Sequence, residues 1–121
     1  TMKKLQLLDD LHAGRLEGRG LGDINHTAFW AYIYSQEADN ETLNFNEVIW
    51  DHDVEDIIKF CHAFAIKEIT ISSNFSGLIP TLALFEKIGC KLEGLTEVND
   101  RFKDYITGEF KKLPALKIKI A

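Results

Sequence analysis

The chain has 121 residues, of which 45% are hydrophobic and 11% aromatic. This predicts a single globular domain over 1–121 with one core. No apolar run reaches the length of about 18 residues needed to span a bilayer, and the first residues lack the apolar stretch of a secretory signal. Two cysteines, Cys61 and Cys90, are too few for a disulfide framework. We therefore expect a cytoplasmic protein that does not bind membranes.

The charged residues are unevenly distributed around a formal net charge of −5. No Lys or Arg occurs between Arg19 and Lys59, and the acids of that stretch are Asp23, Glu37, Asp39, Glu41, Glu47, Asp51, Asp53, Glu55 and Asp56. Residues 101–119 are biased the other way, towards Lys and Arg. The acidic stretch is either solvated surface, or a docking face for a basic partner or a second copy. The overall acidity argues against direct nucleic-acid binding.

The N-terminal part of the sequence predicts a short helix over 3–12 and then a loop over 14–22. Four glycines in this loop oppose regular structure. The candidate binding residues in and beside it are Arg15, Arg19, Asp23 and His26. Backbone amides freed by glycines, together with Arg or His side chains, can hold a phosphate or carboxylate. The alternative is a plain connector, because the spacing matches neither a dinucleotide fingerprint nor a phosphate-binding P-loop.

A helix predicted over 26–37 has more aromatic residues than a core stripe requires. Asp23, Asn25 or Thr27 can cap it. Its aromatic residues are Phe29, Trp30, Tyr32 and Tyr34. The spacing of Phe29, Tyr32 and Ile33 predicts the buried side. The remaining aromatic surface is either further core or a face for a partner.

A strand near 43–49 and a helix beginning at 51–53 are predicted next. The apolar stripe of this helix consists of Val54, Ile57, Ile58, Cys61, Phe64 and Ala65. Acids in its first turn complement the helix dipole. We prefer this role to a metal site at Asp51, His52 and Asp53, because neighbouring side chains at a helix start point in different directions.

The C-terminal half predicts alternating strands and one more helix. The strands lie over 68–73, 90–98, 102–106 and 115–120, with turns at 99–100 and 107–108. The helix covers about 77–88 and is stopped by Gly89. Its apolar side is Leu78, Ile79, Leu82, Phe85 and Ile88. The whole pattern predicts an α/β (α+β) fold, with a mixed sheet of four to five strands in the order β-α-β-α-β-β after an N-terminal helical segment.

The corner between the strand at 68–73 and the following helix is a second candidate site. Its polar residues are Ser72, Ser73, Asn74 and Ser76. Ligands often bind beyond the carboxyl ends of strands in open α/β sheets. The alternative is helix capping by Asn74 or Ser76. No Gly-x-Ser-x-Gly sequence surrounds these serines, which argues against a hydrolase nucleophile.

Two resemblances rest on particular stretches. Residues 82–94, following a strand and Asn74, resemble the end of a GNAT-type N-acetyltransferase, where a helix ends in a Phe/Tyr-Glu-Lys-Leu-Gly-Phe sequence before a strand. That resemblance implies an α/β layout and an acyl-CoA-dependent acyltransferase acting at the 72–77 corner. Residues 11–14, 18–30 and 71–90 resemble small proteins carried by bacterial mobile elements, and this resemblance implies no activity.

Taken together, these features predict a non-enzymatic accessory module. It would bind a protein partner, or a second copy of itself, through its acidic and aromatic surface. We expect no catalytic residues, no metal and no cofactor. The alternative is a small-ligand-binding protein or GNAT-like acyltransferase that uses the 72–77 corner.

Overall fold

The computed structural model describes residues 25–73 and 77–121, so the helix predicted over 3–12 and the glycine loop 14–22 lie outside the described residues. The described helices are α1 (His26–Glu37), α2 (Val54–Ala63) and α3 (Leu78–Lys87). The described strands are β1 (Leu43–Phe45), β2 (Glu68–Ile71), β3 (Lys91–Lys103) and β4 (Phe110–Lys119). A short 3-10 turn, Asp51–Asp53, leads into α2.

The four described strands form one mixed sheet in the order β1-β2-β4-β3. β1 and β2 are parallel, because α2 carries the chain back over the sheet between them. β4 lies between β2 and β3 and is antiparallel to both. This arrangement confirms the predicted fold class.

The core lies against the apolar face of this sheet. Leu43, Ile69 and Ile118 are aligned across β1, β2 and β4, and each is fully buried. Burial of each such side chain is worth roughly 1.5–3 kcal/mol. The predicted stripe of α2 packs here too, except that Ala65 is exposed. The helix has already ended at Ala63, and Ala65 has a positive φ of 55°.

Helix α1 has the predicted bounds, and Asn25 caps it by accepting a hydrogen bond from the Ala28 N–H at 3.0 Å. The predicted buried side was wrong in part, because Phe29 and Ile33 are only half-buried. The fully buried positions are Ala28, Ala31, Tyr32 and Ser35. Small side chains at three of these positions let α1 lie close to β1.

The outer edge of β1 is sealed by this close approach. The Ser35 hydroxyl accepts a hydrogen bond from the Asn44 N–H at 2.9 Å and donates one to the Asn44 carbonyl at 3.4 Å. A further strand added beside β1 would need this N–H and this carbonyl for its own hydrogen bonds. The edge of the sheet is therefore closed to another chain at this point.

The strands differ from their predicted bounds in several places. β2 ends at Ile71 and not at residue 73, and β4 begins at Phe110 and not at residue 115. The separate strand predicted over 102–106 is wrong, because residues 102–103 end β3 and residues 104–106 belong to the hairpin turn. β1 ends at Phe45 instead of continuing to residue 49. The turn predicted at 99–100 is wrong, because both residues lie inside the long strand β3, where the register is irregular between Asn99 and Lys103. The turn of the hairpin lies at 104–109, where Gly108 has a φ of 70°.

Helix α3 is less amphipathic than its sequence predicts. Leu82 and Phe85 are buried, but Ile79 is 73% exposed and Ile88 is also exposed. Thr81 takes a buried position instead, because its hydroxyl donates to the Ile49 carbonyl at 3.2 Å.

The predicted helix stop at Gly89 is confirmed by its φ of 105°. A Cβ at this position would meet only the Ala121 Cβ, at an ordinary 3.5 Å. We therefore expect Gly89→Ala to lower the free energy of unfolding by about 1 kcal/mol through backbone strain alone. Urea denaturation would measure the change, and a loss well above this would mean that packing is also disturbed.

Candidate functional site

The carboxyl ends of the parallel strands β1 and β2 open into a cleft of about 580 Å³, here called the edge cleft. Residues following both strands meet the N-terminal turns of α1 and the segment before α2. The lining residues are His26, Thr27, Trp30, Asn46, Glu47, Val48, Trp50 and Ser73. This is the place where open α/β sheets commonly bind ligands.

One wall of the edge cleft is held by the buried carboxylate of Asp53. Its Oδ1 accepts a hydrogen bond from Asn25 Nδ2, and its Oδ2 accepts from Thr27 Oγ1 and from the Trp50 N–H, each at 3.0 Å. The carboxylate thereby joins the start of α1 to the chain preceding α2. These bonds fix Thr27 and Trp50, which both line the cleft.

Two tryptophans form the exposed apolar surface of the edge cleft. Trp30 is 46% exposed and Trp50 is 54% exposed. The Trp30 ring stacks on Tyr34 with centroids 5.7 Å apart, and it meets the edge of Phe29 at 5.4 Å. These contacts hold the indole in place while leaving nearly half of it open to solvent.

A ladder of polar side chains runs along one face of β1 and β2 towards the cleft. Thr70 Oγ1 donates to Asn44 Oδ1 at 2.8 Å, and Asn44 Nδ2 donates to Ser72 Oγ at 3.0 Å. Ser72 Oγ in turn donates to Asn46 Oδ1 at 3.2 Å. The Ser72 hydroxyl is therefore engaged as both donor and acceptor, and it orients Asn46 at the cleft.

A smaller cleft of about 80 Å³ shares Asn46 and Glu47 with the edge cleft and extends to Phe102 on β3. β3 is held in this position by paired asparagines. Asn40 Nδ2 donates to the Asn99 carbonyl at 2.9 Å, and the Asn99 N–H donates to Asn40 Oδ1 at 2.8 Å. The β3–β4 hairpin therefore lies beside the edge cleft, across Asn46 and Glu47 from the tryptophans.

The described segment that supplies most of the edge cleft is acidic, and its Glu47 lines the cleft. Residues 25–58 contain eight carboxylates and no Lys or Arg. Seven of the eight are exposed; Asp53 is buried inside its hydrogen bonds and is not part of the acidic surface. Within the part of the chain that the structure describes, Glu47 has no ion pair with Lys or Arg.

The predicted site residues divide into three groups. His26 and Ser73 lie together in the edge cleft, and Ser72 lies beside it in the polar ladder. The others, outside the described residues, are Arg15, Arg19, Asp23, Asn74 and Ser76. Sequence reasoning missed Asn46 and Trp50 as site residues.

Over 25–73 and 77–121, His, Cys, Asp and Glu nowhere form a group of three that could hold a metal ion. In the same ranges, none of the helices has both the length and the apolar character to cross a membrane.

Comparison with known proteins gives one match. A family model described as "Domain of unknown function (DUF7698)" matches residues 27–120. Neither the curated proteins nor the solved structures contain a match. These comparisons therefore lend no support to the resemblances to GNAT-type N-acetyltransferases and to proteins of bacterial mobile elements.

Proposed function

We propose that this chain, which belongs to the DUF7698 family, is a non-enzymatic accessory module that binds a basic segment of a protein partner in the edge cleft. The observation that carries the proposal is the presence, in one cleft, of two exposed tryptophans and a carboxylate that makes no ion pair with a Lys or Arg of residues 25–73 and 77–121. Trp30, Trp50 and Glu47 line it together. We place the module in the cytoplasm, where the free thiols of Cys61 and Cys90 stay reduced.

The chemistry of the edge cleft favours a Lys or Arg side chain. A cation over an indole face gains about 0.5–1 kcal/mol when exposed and about 2 when desolvated. Glu47 offers an acceptor for the same cation, and the surrounding acids raise the rate of encounter with a basic segment. Small polar side chains in the cleft, such as Thr27 and Asn46, can bond the partner's backbone.

Intrinsic fluorescence provides a direct test of this function. The chain has two tryptophans, and both line the edge cleft, so their emission reports on its occupancy. We expect a peptide rich in Lys and Arg to change the emission saturably, and high salt to weaken its binding. An acidic peptide of equal length should cause no change, and equal binding of both peptides would refute the proposal.

Variants then locate the binding to the edge cleft. Glu47→Lys and Trp30→Ala should each weaken binding of the basic peptide by about tenfold or more, because each removes one attraction for the cation. Glu86→Lys makes the same charge change on an exposed position of α3 and is the matched control. Equal loss in Glu47→Lys and Glu86→Lys would mean that only net charge matters.

A second candidate function is small-ligand binding, including acyl-CoA-dependent acyl transfer at the 72–77 corner. It is favoured by the position of the edge cleft beyond two parallel strands, with His26 and Ser73 in it. Acetyl-CoA, CoA and inorganic phosphate should then each be tested for a rise in melting temperature. A rise that is kept in Glu47→Lys would favour this candidate over the basic segment.

A further inference from the structure

The turn that joins β3 to β4 is fixed by internal hydrogen bonds. The Asp104 carboxylate accepts from the Ile106 N–H at 2.7 Å and from the Thr107 N–H at 3.3 Å. Those two bonds lower the pKa of Asp104. The backbone of Asp104 makes two further bonds: its N–H donates to the Glu109 carbonyl at 2.8 Å, and its carbonyl accepts from the Gly108 N–H at 2.9 Å. The turn is thus a preorganised structure.

This ordered turn presents apolar side chains to solvent. Tyr105 and Ile106 are almost completely exposed, and Phe102 is 61% exposed. Lys103 lies over the Phe110 ring at 4.8 Å, and Lys111 is exposed. We call Phe102, Lys103, Tyr105, Ile106 and Lys111 the hairpin tip; these residues also line a cleft of about 620 Å³. Rigid aromatic and aliphatic groups beside cations are typical of an interface anchor.

The hairpin tip and the edge cleft lie at the same edge of the sheet. Ile71, the last residue of β2, is aligned with Leu116 of β4, and Leu116 is aligned with Leu95 of β3. The residues of β3 that follow Leu95 therefore continue past the end of β2. Phe102 and Glu47 accordingly line one small cleft.

We infer that a second copy of this chain is the partner, and that each hairpin tip enters the edge cleft of the other copy. The inference rests on the proposed function and names its basic segment. Charge complementarity supports it, because the tip presents Lys103 and Lys111, whereas the edge cleft presents Glu47, and the acids that follow it at Asp51, Glu55 and Asp56 are exposed. The Asp104 carboxylate of the tip is already held by backbone N–H groups.

Geometry also favours a closed pair. The exposure of Tyr105 and Ile106 shows that the tip does not fill the edge cleft of its own molecule. The hairpin tip and the edge cleft lie at the same edge of the sheet. A two-fold axis beside that edge therefore places each tip in the cleft of the other copy, so that both tips and both clefts are occupied. Such an isologous contact closes at a dimer instead of growing into a fibre.

Sedimentation equilibrium over a range of concentrations tests the dimer. We expect the wild-type chain to dimerise, and Ile106→Asp and Trp30→Ala each to raise the dimer dissociation constant by about tenfold or more. Both residues are exposed in the single copy, so circular dichroism should show that each variant still folds. Glu86→Lys on α3 is the control that should dimerise normally.

Mixing the two variants tests which surfaces meet. In a mixed dimer of Ile106→Asp and Trp30→Ala, one of the two contacts joins an intact tip to an intact cleft, whereas both contacts are damaged in each variant alone. An equimolar mixture should therefore associate more tightly than either variant by itself. A mixture that associates no more tightly than the two separate variants would show that tip and cleft do not meet, and normal dimerisation of Trp30→Ala alone would indicate a tip-to-tip contact; either result overturns the inference. A wild-type chain that stays monomeric would also overturn it, and binding of the basic peptide to that monomer would leave the proposed function standing.

Discussion

Replacing Asp53 with alanine is expected to lower the free energy of unfolding by about 3 kcal/mol. The carboxylate accepts three hydrogen bonds, from Asn25, Thr27 and the Trp50 N–H. Bonds to a charged acceptor are worth roughly 1.5–3 kcal/mol each, and losing the acceptor leaves partly buried donors unpaired. Water can reach some of these donors, which keeps the total below the sum. Urea denaturation followed by circular dichroism measures the change.

A neighbouring acid supplies the control for this prediction. Asp51→Ala removes a carboxylate from the same 3-10 turn, but the Asp51 side chain is exposed and makes no hydrogen bond to the described residues. Its effect should stay within about 0.5 kcal/mol. Equal losses from Asp51→Ala and Asp53→Ala would show that charge at the start of α2, and not the buried bonds, provides the stability.

Asp53→Ala should also affect the edge cleft, because the lost bonds position Thr27 and Trp50. Trp50 emission should shift to longer wavelength as the indole becomes more mobile and more hydrated. The free energy of unfolding of Asp53→Asn should lie between those of the wild type and Asp53→Ala. Its amide oxygen still accepts a hydrogen bond, but its amide nitrogen faces another donor.

Helix α1 was predictable because its limits are set locally. Asn25 is a good N-cap by residue type, and its side chain does bond the Ala28 N–H. Its buried face was not predictable from aromatic spacing. Ser35 is buried because it bonds the edge of β1, and that requirement belongs to the tertiary structure.

The errors in the strands have the same origin. An Asn-Asp pair is typical of a turn, yet Asn99 lies within β3, where its backbone bonds Asn40 from 59 positions away. The alternation of residue types predicts that β1 continues to residue 49. In the structure β1 ends at Phe45, and the Asn46 side chain accepts a hydrogen bond from Ser72, which follows β2. No local pattern contains either partner.

The candidate site could be predicted only in part, because it also depends on contacts between residues that are distant in the sequence. His26 and Ser73 stood out because their residue types occur beside a predicted helix start and a strand end. Trp50 had no such signal, since an isolated tryptophan before a helix usually packs into a core. Only the parallel pairing of β1 and β2 brings Glu47 and Ser73 to one edge. The polar ladder through Asn44 likewise depends on register.

The buried thiol of Cys61 gives the second large prediction, a loss of stability at alkaline pH. Burial, and to a smaller extent the nearby Cys90, raises the pKa of Cys61 from 9.0 to about 12. Below pH 9 the thiol is neutral in both the folded and the unfolded state, so its contribution is constant. Above pH 9 only the unfolded chain ionises, and the free energy of unfolding falls by about 1 kcal/mol at pH 10 and nearly 3 at pH 11.

Comparison with Cys61→Ala isolates this effect from the titration of other groups. The variant loses a buried side chain and should be less stable at pH 8, but its stability should fall less steeply above pH 9 than that of the wild type. In a Cys90→Ala background, native Cys61 should also resist alkylation at pH 8 until urea unfolds the chain. Labelling of the folded protein at the rate of a free thiol would show that Cys61 is open to solvent, and parallel pH curves for wild type and Cys61→Ala would contradict the raised pKa.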